Sequence, residues 1–261
     1  MSTTTKTTAL KGGEFLIKAT DAQDIFIREQ ITEEQQMIYQ SCMDFLAQEV
    51  WPNLDKIDAQ EEGLTIKLLN KAAELGLLGL NVPEEFGGFE KDFVTGMMAT
   101  EALGAGHSFA VSISAHTGIG TLPILYYGND AQKKKYLPKL ANGEWKACYC
   151  LTEPGSGSDA NSGKTKAVFS ADGKYYSLNG QKMWITNGGF ADVFIVFAKI
   201  DNDENIQPII DAISSDDFNL FFSFFNMKKY FNKTYLNKYK YQTKDLVKTN
   251  WFKSNISSLL S

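Results

Sequence analysis

This sequence predicts an α+β protein, with an amino-terminal helical bundle, a small antiparallel β-domain after it, and an irregular or disordered tail. Three observations carry that expectation. Apolar residues recur at three- and four-residue spacing up to about residue 145, and they alternate from Lys146 onward. All 21 glycines lie at or before Gly189, so the last part of the chain differs in kind from the rest.

The helices come first. Thr32 and Gln35 form a T-x-x-Q capping box, and Ile38, Cys42, Phe45, Leu46 and Val50 then follow helical spacing until Trp51-Pro52, where the pattern is expected to stop. A second helix is expected from Thr65 through Leu68, Leu69, Ala72 and Leu75, with Gly76 as its left-handed cap. A third covers 93–103 and ends at Gly104. The Ala- and Ser-rich residues 109–116 predict a closely packed helix, and Asp130 opens a short one ending near Pro138. Short connections between them suggest a bundle.

Five strands are expected after it, at 147–151, 165–170, 174–178, 182–186 and 193–199. Asn179-Gly180 lies between two of them and reads as a type I′ hairpin turn, because both residue types tolerate positive φ. From Gln207 to Ser261 the chain is crowded with Phe, Lys, Asn, Tyr and Ser, and eight lysines stand against four acidic residues. The run 218–225 shows no clear periodicity, and an aggregation-prone or foreign tail is its expected reading.

Composition narrows the function. A 43% hydrophobic content builds real cores, and a net charge of −5 argues against a general nucleic-acid binder. Unbroken apolar runs fall short of the ~18 residues that cross a bilayer, so no membrane span is expected. Residues 1–13 are Thr-rich and lack the features of a signal or transit peptide, which makes a cytoplasmic location the expectation. Three cysteines and two histidines make a metal site improbable. Cys148 and Cys150 share one strand face, where small buried thiols pack well.

Two segments carry chemistry. Residues 151–159, Leu-Thr-Glu-Pro-Gly-Ser-Gly-Ser-Asp, form a turn-rich loop whose glycines allow close backbone approach and whose hydroxyls and amides suit an anion or a carbonyl. Such loops are more often plain connections. Residues 181–189, Gln-Lys-Met-Trp-Ile-Thr-Asn-Gly-Gly, place Trp184 two residues from Thr186, a flat apolar face beside a hydrogen-bonding edge such as a flavin ring requires. Trp184 filling the β-domain core is the competing reading.

Together the two segments resemble the acyl-CoA dehydrogenase family. The first follows its Thr-Glu-x-x-small-Gly-Ser-Asp pattern and the second its Lys-Met-Trp-Ile-Thr-Asn-Gly stretch; residues 81–88 and 132–144 extend the likeness, which covers about 30–206. The resemblance implies a lead at 1–29, a helical domain at 30–145, an incomplete FAD- and substrate-binding β-domain at 146–206 and a non-family tail at 207–261. It implies FAD as cofactor, acyl-CoA as substrate, electron-transfer flavoprotein as partner and homo-oligomers in the family. Tyr149, Cys150, Leu151, Thr152, Gly157, Ser158, Trp184, Ile185 and Thr186 would contact the cofactor. Thr152 would bond the flavin pyrimidine edge, Trp184 would pack on one flavin face, and Ser158 would also approach the acyl-CoA. Residues around 95–119 would wall the acyl chain, and the lead at 14–26 is similar to that of longer-chain members.

The family's proton-abstracting glutamate lies in a third domain. No glutamate follows Glu204 here, and the match places Glu153 in the cofactor loop, so no catalytic residue is assigned. The Lys, Asn, Phe, Tyr and Ile of the tail are what out-of-frame reading of AT-rich DNA produces. A truncated or frame-shifted dehydrogenase is therefore expected, with a fragment that only binds flavin, acyl-CoA or a partner as the alternative; an oxidase of the same fold is a third reading.

Overall fold

The computed structural model describes residues 13–21, 25–171 and 176–200, together with the backbone of 206–214. The lead is thus described only in part, and the tail beyond residue 214 lies outside the described residues.

Seven α-helices precede the sheet among the described residues. They are α1 (Glu33–Phe45), α2 (Leu54–Asp58), α3 (Leu64–Glu74), α4 (Phe93–Leu103), α5 (Ser108–Ser114), α6 (Leu122–Tyr127) and α7 (Asp130–Ala141). Local chemistry starts them. Thr32 accepts from the Gln35 amide while the Gln35 side chain returns to the Thr32 amide, and Asn129 with Gln132 caps α7 in the same way. Asp92 caps α4 by accepting from Thr95 N–H at 2.8 Å. Gln35 also donates to Asp92 at 3.3 Å, which ties the start of α1 to that of α4.

Two boundaries depart from expectation, both at proline. The chain does not stop at Trp51-Pro52; a π-helical turn at Leu46–Val50 and a 3-10 turn at Trp51–Asn53 carry it into α2. Pro52 sits at the start of the 3-10 turn, where the change of helix type accommodates its missing N–H. α7 likewise runs through Pro138 to Ala141, with Leu137, Leu140 and Ala141 buried. Gly76 does take the predicted left-handed conformation, φ +75°.

A third region, Ser108–Tyr127, joins α5 to α6 through a π-helical stretch at Ala115–Gly120. It is 20 residues long and contains an 18-residue window with a mean hydropathy of 1.2, long and apolar enough to cross a membrane by length and composition alone. Counting unbroken apolar runs overlooks it, because Gly, Ser and Thr punctuate the run. In this fold Phe109, Ile113 and Ile124 are fully buried, as core helices require.

The sheet is mixed rather than wholly antiparallel. It holds β1 (Ala147–Cys150), β2 (Lys166–Phe169), β3 (Tyr176–Asn179), β4 (Val193–Ile200) and β5 (Ile206–Ser214). β1 pairs parallel with the first half of β4, Ala147 opposite Val193 and Cys150 opposite Val196. β2 pairs parallel with its far end, Lys166 opposite Lys199, and antiparallel with β3. β5 lines the other edge of β4 and crosses the compositional break at 206/207. β1 and β2 therefore occupy one edge of β4 in succession, and the chain between them leaves the sheet as a loop.

The expected strand at 182–186 and its hairpin turn do not form. Asn179 ends β3, and residues 180–185 run without a sheet partner. Gly180 serves another purpose: a Cβ there would stand 2.3 Å from Thr165 Oγ1 and 2.6 Å from its Cα. Absence of a side chain, not positive φ, is what the position requires.

Strand alternation divides the core. Ala147, Val193 and Ile195 face helices α6 and α7, packing with Ile124, Tyr136, Leu137 and Leu140. Cys148, Cys150, Phe194 and Val196 face the other way, under Leu178, Ile185 and Ala191. Both thiols are fully buried, with their sulfurs 3.9 Å apart.

Candidate functional site

β1 ends at Cys150 because the next residues are recruited into a turn. Glu153 and Ser156 exchange two backbone hydrogen bonds, 3.0 and 3.1 Å, around Pro154-Gly155. Ser156 Oγ and Ser162 Oγ then donate to the Asp159 carbonyl at 2.8 and 2.7 Å. The loop is held by its own hydroxyls.

It is held to residues 181–189 by a buried ion pair. Lys182 Nζ donates to Glu153 Oε1 at 2.8 Å and to the Leu151 carbonyl at 2.9 Å. The two charged side chains are only 1% and 6% exposed. Glu153 also accepts from the amides of Lys164 and Thr165. Burial by itself would push the Glu153 carboxyl up, but Lys182 and those two amides outweigh it and bring it from 4.5 down to about 2. Met183 N–H donates to the Thr152 carbonyl at 3.0 Å, completing the junction. These bonds take the place of the missing strand pairing.

Between this junction and the helical domain lies a cleft of about 160 Å3, lined by Ala115, Ile119, Tyr149, Leu151, Thr152, Trp184, Ile185 and Thr186. Six of the nine residues singled out from the sequence meet here. Cys150 points to the opposite face of the sheet and is fully buried, as alternation demands of the neighbour of Tyr149. Gly157 and Ser158 are exposed on the loop and do not line the cleft. Ala115 and Ile119 fall in the helical region that the sequence reading placed beside the acyl chain. Glu153, Lys182 and Asn187 lie in the two segments marked in the sequence, but that they hold the walls was not legible there, since such a contact is visible only when both partners are seen.

Trp184 is the unusual member. It is 82% exposed and has φ +60°, a left-handed conformation rare for a bulky residue. A core-filling role for it is thereby excluded. Tyr149 packs against Phe197 with ring centroids 4.9 Å apart, and its partial burial pushes its hydroxyl pKa up. No carboxylate lines the cleft, and no group of three or more metal-ligating side chains occurs among the described residues.

Comparison with known proteins agrees with this arrangement. Residues 32–144 match the acyl-CoA dehydrogenase N-terminal domain, and residues 148–214 match the acyl-CoA dehydrogenase middle domain, reaching the end of β5. The chain is 48% identical over 201 residues to a probable acyl-CoA dehydrogenase of Bacillus subtilis, covering 77% of this chain and 34% of that protein. It is 55% identical over 128 residues to the human mitochondrial very long-chain specific acyl-CoA dehydrogenase, covering 48% of this chain and 19% of that one. The crystal structure of an acyl-CoA dehydrogenase complexed with FAD from Bacillus anthracis superposes with a TM-score of 0.73 at 48% identity, over 77% of this chain and 34% of the other. The chain thus spans about a third of the length of these bacterial relatives. In sequence, in the order of its domains and in its tertiary structure, the chain belongs to the acyl-CoA dehydrogenase family.

Proposed function

We propose that the cleft binds the isoalloxazine end of FAD, and that the parent activity is α,β-dehydrogenation of fatty acyl-CoA thioesters, as in β-oxidation, with electron-transfer flavoprotein as electron acceptor. The exposed, left-handed Trp184 on the cleft wall carries this reading. Backbone strain of this kind persists where the surroundings enforce it, typically at ligand-binding positions. An indole face turned to solvent next to Thr186 and Thr152 offers a stacking surface with hydrogen-bonding groups at its edge.

Bound FAD would supply the two-electron acceptor of the reaction. The chain's own residues would orient it: Trp184 and Ile185 against one ring face, Thr152 and Thr186 at the polar edge, and Gly157 and Ser158 nearer the phosphates and the acyl-CoA. At about 160 Å3 the cleft is smaller than the ~300 to 1,000 Å3 of a self-sufficient ligand pocket. Weak binding by this chain alone follows, in keeping with the family expectation that another domain completes the pocket.

The reading also holds that this chain lacks the base that removes the α-proton. Glu153, the nearest glutamate in sequence, has its carboxylate committed to Lys182 and two amides, away from the cleft lining. A fragment that binds flavin without turning over substrate is the second reading, favoured by the absence of a carboxylate from that lining. Titrating the full chain with FAD and assaying acyl-CoA with an artificial electron acceptor separates these readings. Expected are weak FAD binding, a further loss of about three- to tenfold in Trp184→Ala from the lost stacking, and no turnover. Turnover would overturn the loss of the base; failure to take up FAD would overturn the flavin assignment.

A further inference from the structure

We infer that Asn187 is a positioning residue, whose side-chain amide, acting with His116, clamps the turn bearing Trp184 to both β1 and α5 and so sets the opposed walls of the cleft. The inference rests on the flavin reading for its function, and on geometry for the clamp itself.

Asn187 Nδ2 donates to the Ser112 carbonyl of α5 at 2.8 Å and to the Ala147 carbonyl of β1 at 3.2 Å. Both partners can only accept, so the amide orientation is fixed; Asn187 Oδ1, also buried, has no hydrogen-bond partner among the described residues. The residue is 6% exposed and has φ +66°, which Asn tolerates better than most residues. Its own carbonyl accepts from the amides of Phe190 and Ala191 at 3.0 and 2.8 Å, which closes the turn. One side chain therefore joins three elements separated by 40 and 75 positions in sequence.

His116 completes the clamp from the helical side. It is fully buried in the π-helical stretch, and its Nδ1 accepts from Ala147 N–H at 3.0 Å while its Nε2 lies 3.0 Å from the Leu140 carbonyl. A backbone amide can only donate and a carbonyl only accept, so the ring is neutral with its proton on Nε2. Ala147 is thus gripped by its N–H from His116 and by its carbonyl from Asn187. The cleft-lining Ala115 and Ile119 belong to that same π-helical stretch, whose widened turns loosen the backbone ladder. Side chains take up carbonyls in it and in the end of α5 that leads into it: Thr121 Oγ1 bonds His116 O at 2.6 Å and Thr117 Oγ1 bonds Ile113 O at 3.0 Å. Asn187 does the same for Ser112.

Two variants of the full chain test the clamp. Asn187→Gly removes the side chain while relaxing the left-handed backbone, and Asn187→Asp keeps shape and φ tolerance but turns acceptors toward two carbonyls. Both are expected to bind FAD roughly tenfold more weakly, as loss of about two hydrogen bonds implies. Both are also expected to speed amide hydrogen exchange across residues 184–191 in the flavin-free chain, with exchange in α1 and α3 unchanged. If Asn187→Asp does not fold, Asn187→Gly decides. Wild-type FAD binding together with wild-type exchange in Asn187→Gly would overturn the inference, and so would a uniform rise in exchange over the whole chain. Should the wild type take up no FAD, the flavin reading falls and exchange at 184–191 alone judges the clamp.

Discussion

The Lys182–Glu153 pair shows what a single contact decides at this site. Replacing Lys182 by Met leaves a carboxylate buried with only two amides to face it. Breaking a buried pair in this way costs about 3 to 5 kcal/mol, to be read in urea unfolding. Two groups also set the acid response. Glu153 is held at about 2 against 4.5, so the stability it contributes is full above about pH 4.5 and is lost as pH falls toward 2. Burial, together with nearby Lys146, lowers His116 from 6.5 to about 4, against the opposing pull of the Leu140 carbonyl. Between those values the unfolded chain binds a proton that the folded chain refuses, so stability falls as pH drops through that window. Unfolding free energy measured from pH 7 to 4 should therefore decline, and His116→Gln should flatten the upper part of that decline.

At the scale of elements, the close approach of the helical run to the sheet depends on Gly120. A Cβ there would stand 2.6 Å from Ala147 Cβ and 2.8 Å from the Ala115 carbonyl, and both neighbours belong to buried residues with no flexible side chain to give way. Gly120→Ala should cost about 1 to 3 kcal/mol through overpacking, measured by thermal unfolding, and should disturb the cleft, since Ala115 is one of the displaced neighbours. The strand once expected at 182–186 makes the complementary point. Its alternation is genuine, but Met183 bonds to Thr152, Lys182 is drawn into the loop and Trp184 adopts positive φ, so no ladder can run through it. Local pattern proposed a strand, and long-range hydrogen bonds made a turn.

In the molecule as a whole, one of the apolar clusters is shared by the helical and β parts, beside a core that the helices build among themselves. Ile124, Leu137 and Leu140 pack directly against Ala147, Val193 and Ile195. Leu137→Ala should lower stability by about 2 to 5 kcal/mol, and helical circular dichroism and tryptophan fluorescence should report the same lowered midpoint, because this shared cluster couples the two parts. Much of this was legible beforehand. Helices α1, α3 and α4 follow from capping residues and apolar spacing, which act within a few residues, and the two segments that meet at the cleft were marked by their own composition. The sequence by itself thus determined the order of helices before strands, the family and most of the cleft lining. Only the tertiary structure decided that the sheet is mixed, that Cys150 turns away from the cleft, and that Glu153, Lys182, His116 and Asn187 hold its walls. Those outcomes rest on partners dozens of residues apart, whose pairing depends on how the chain packs and leaves no periodic trace in the sequence.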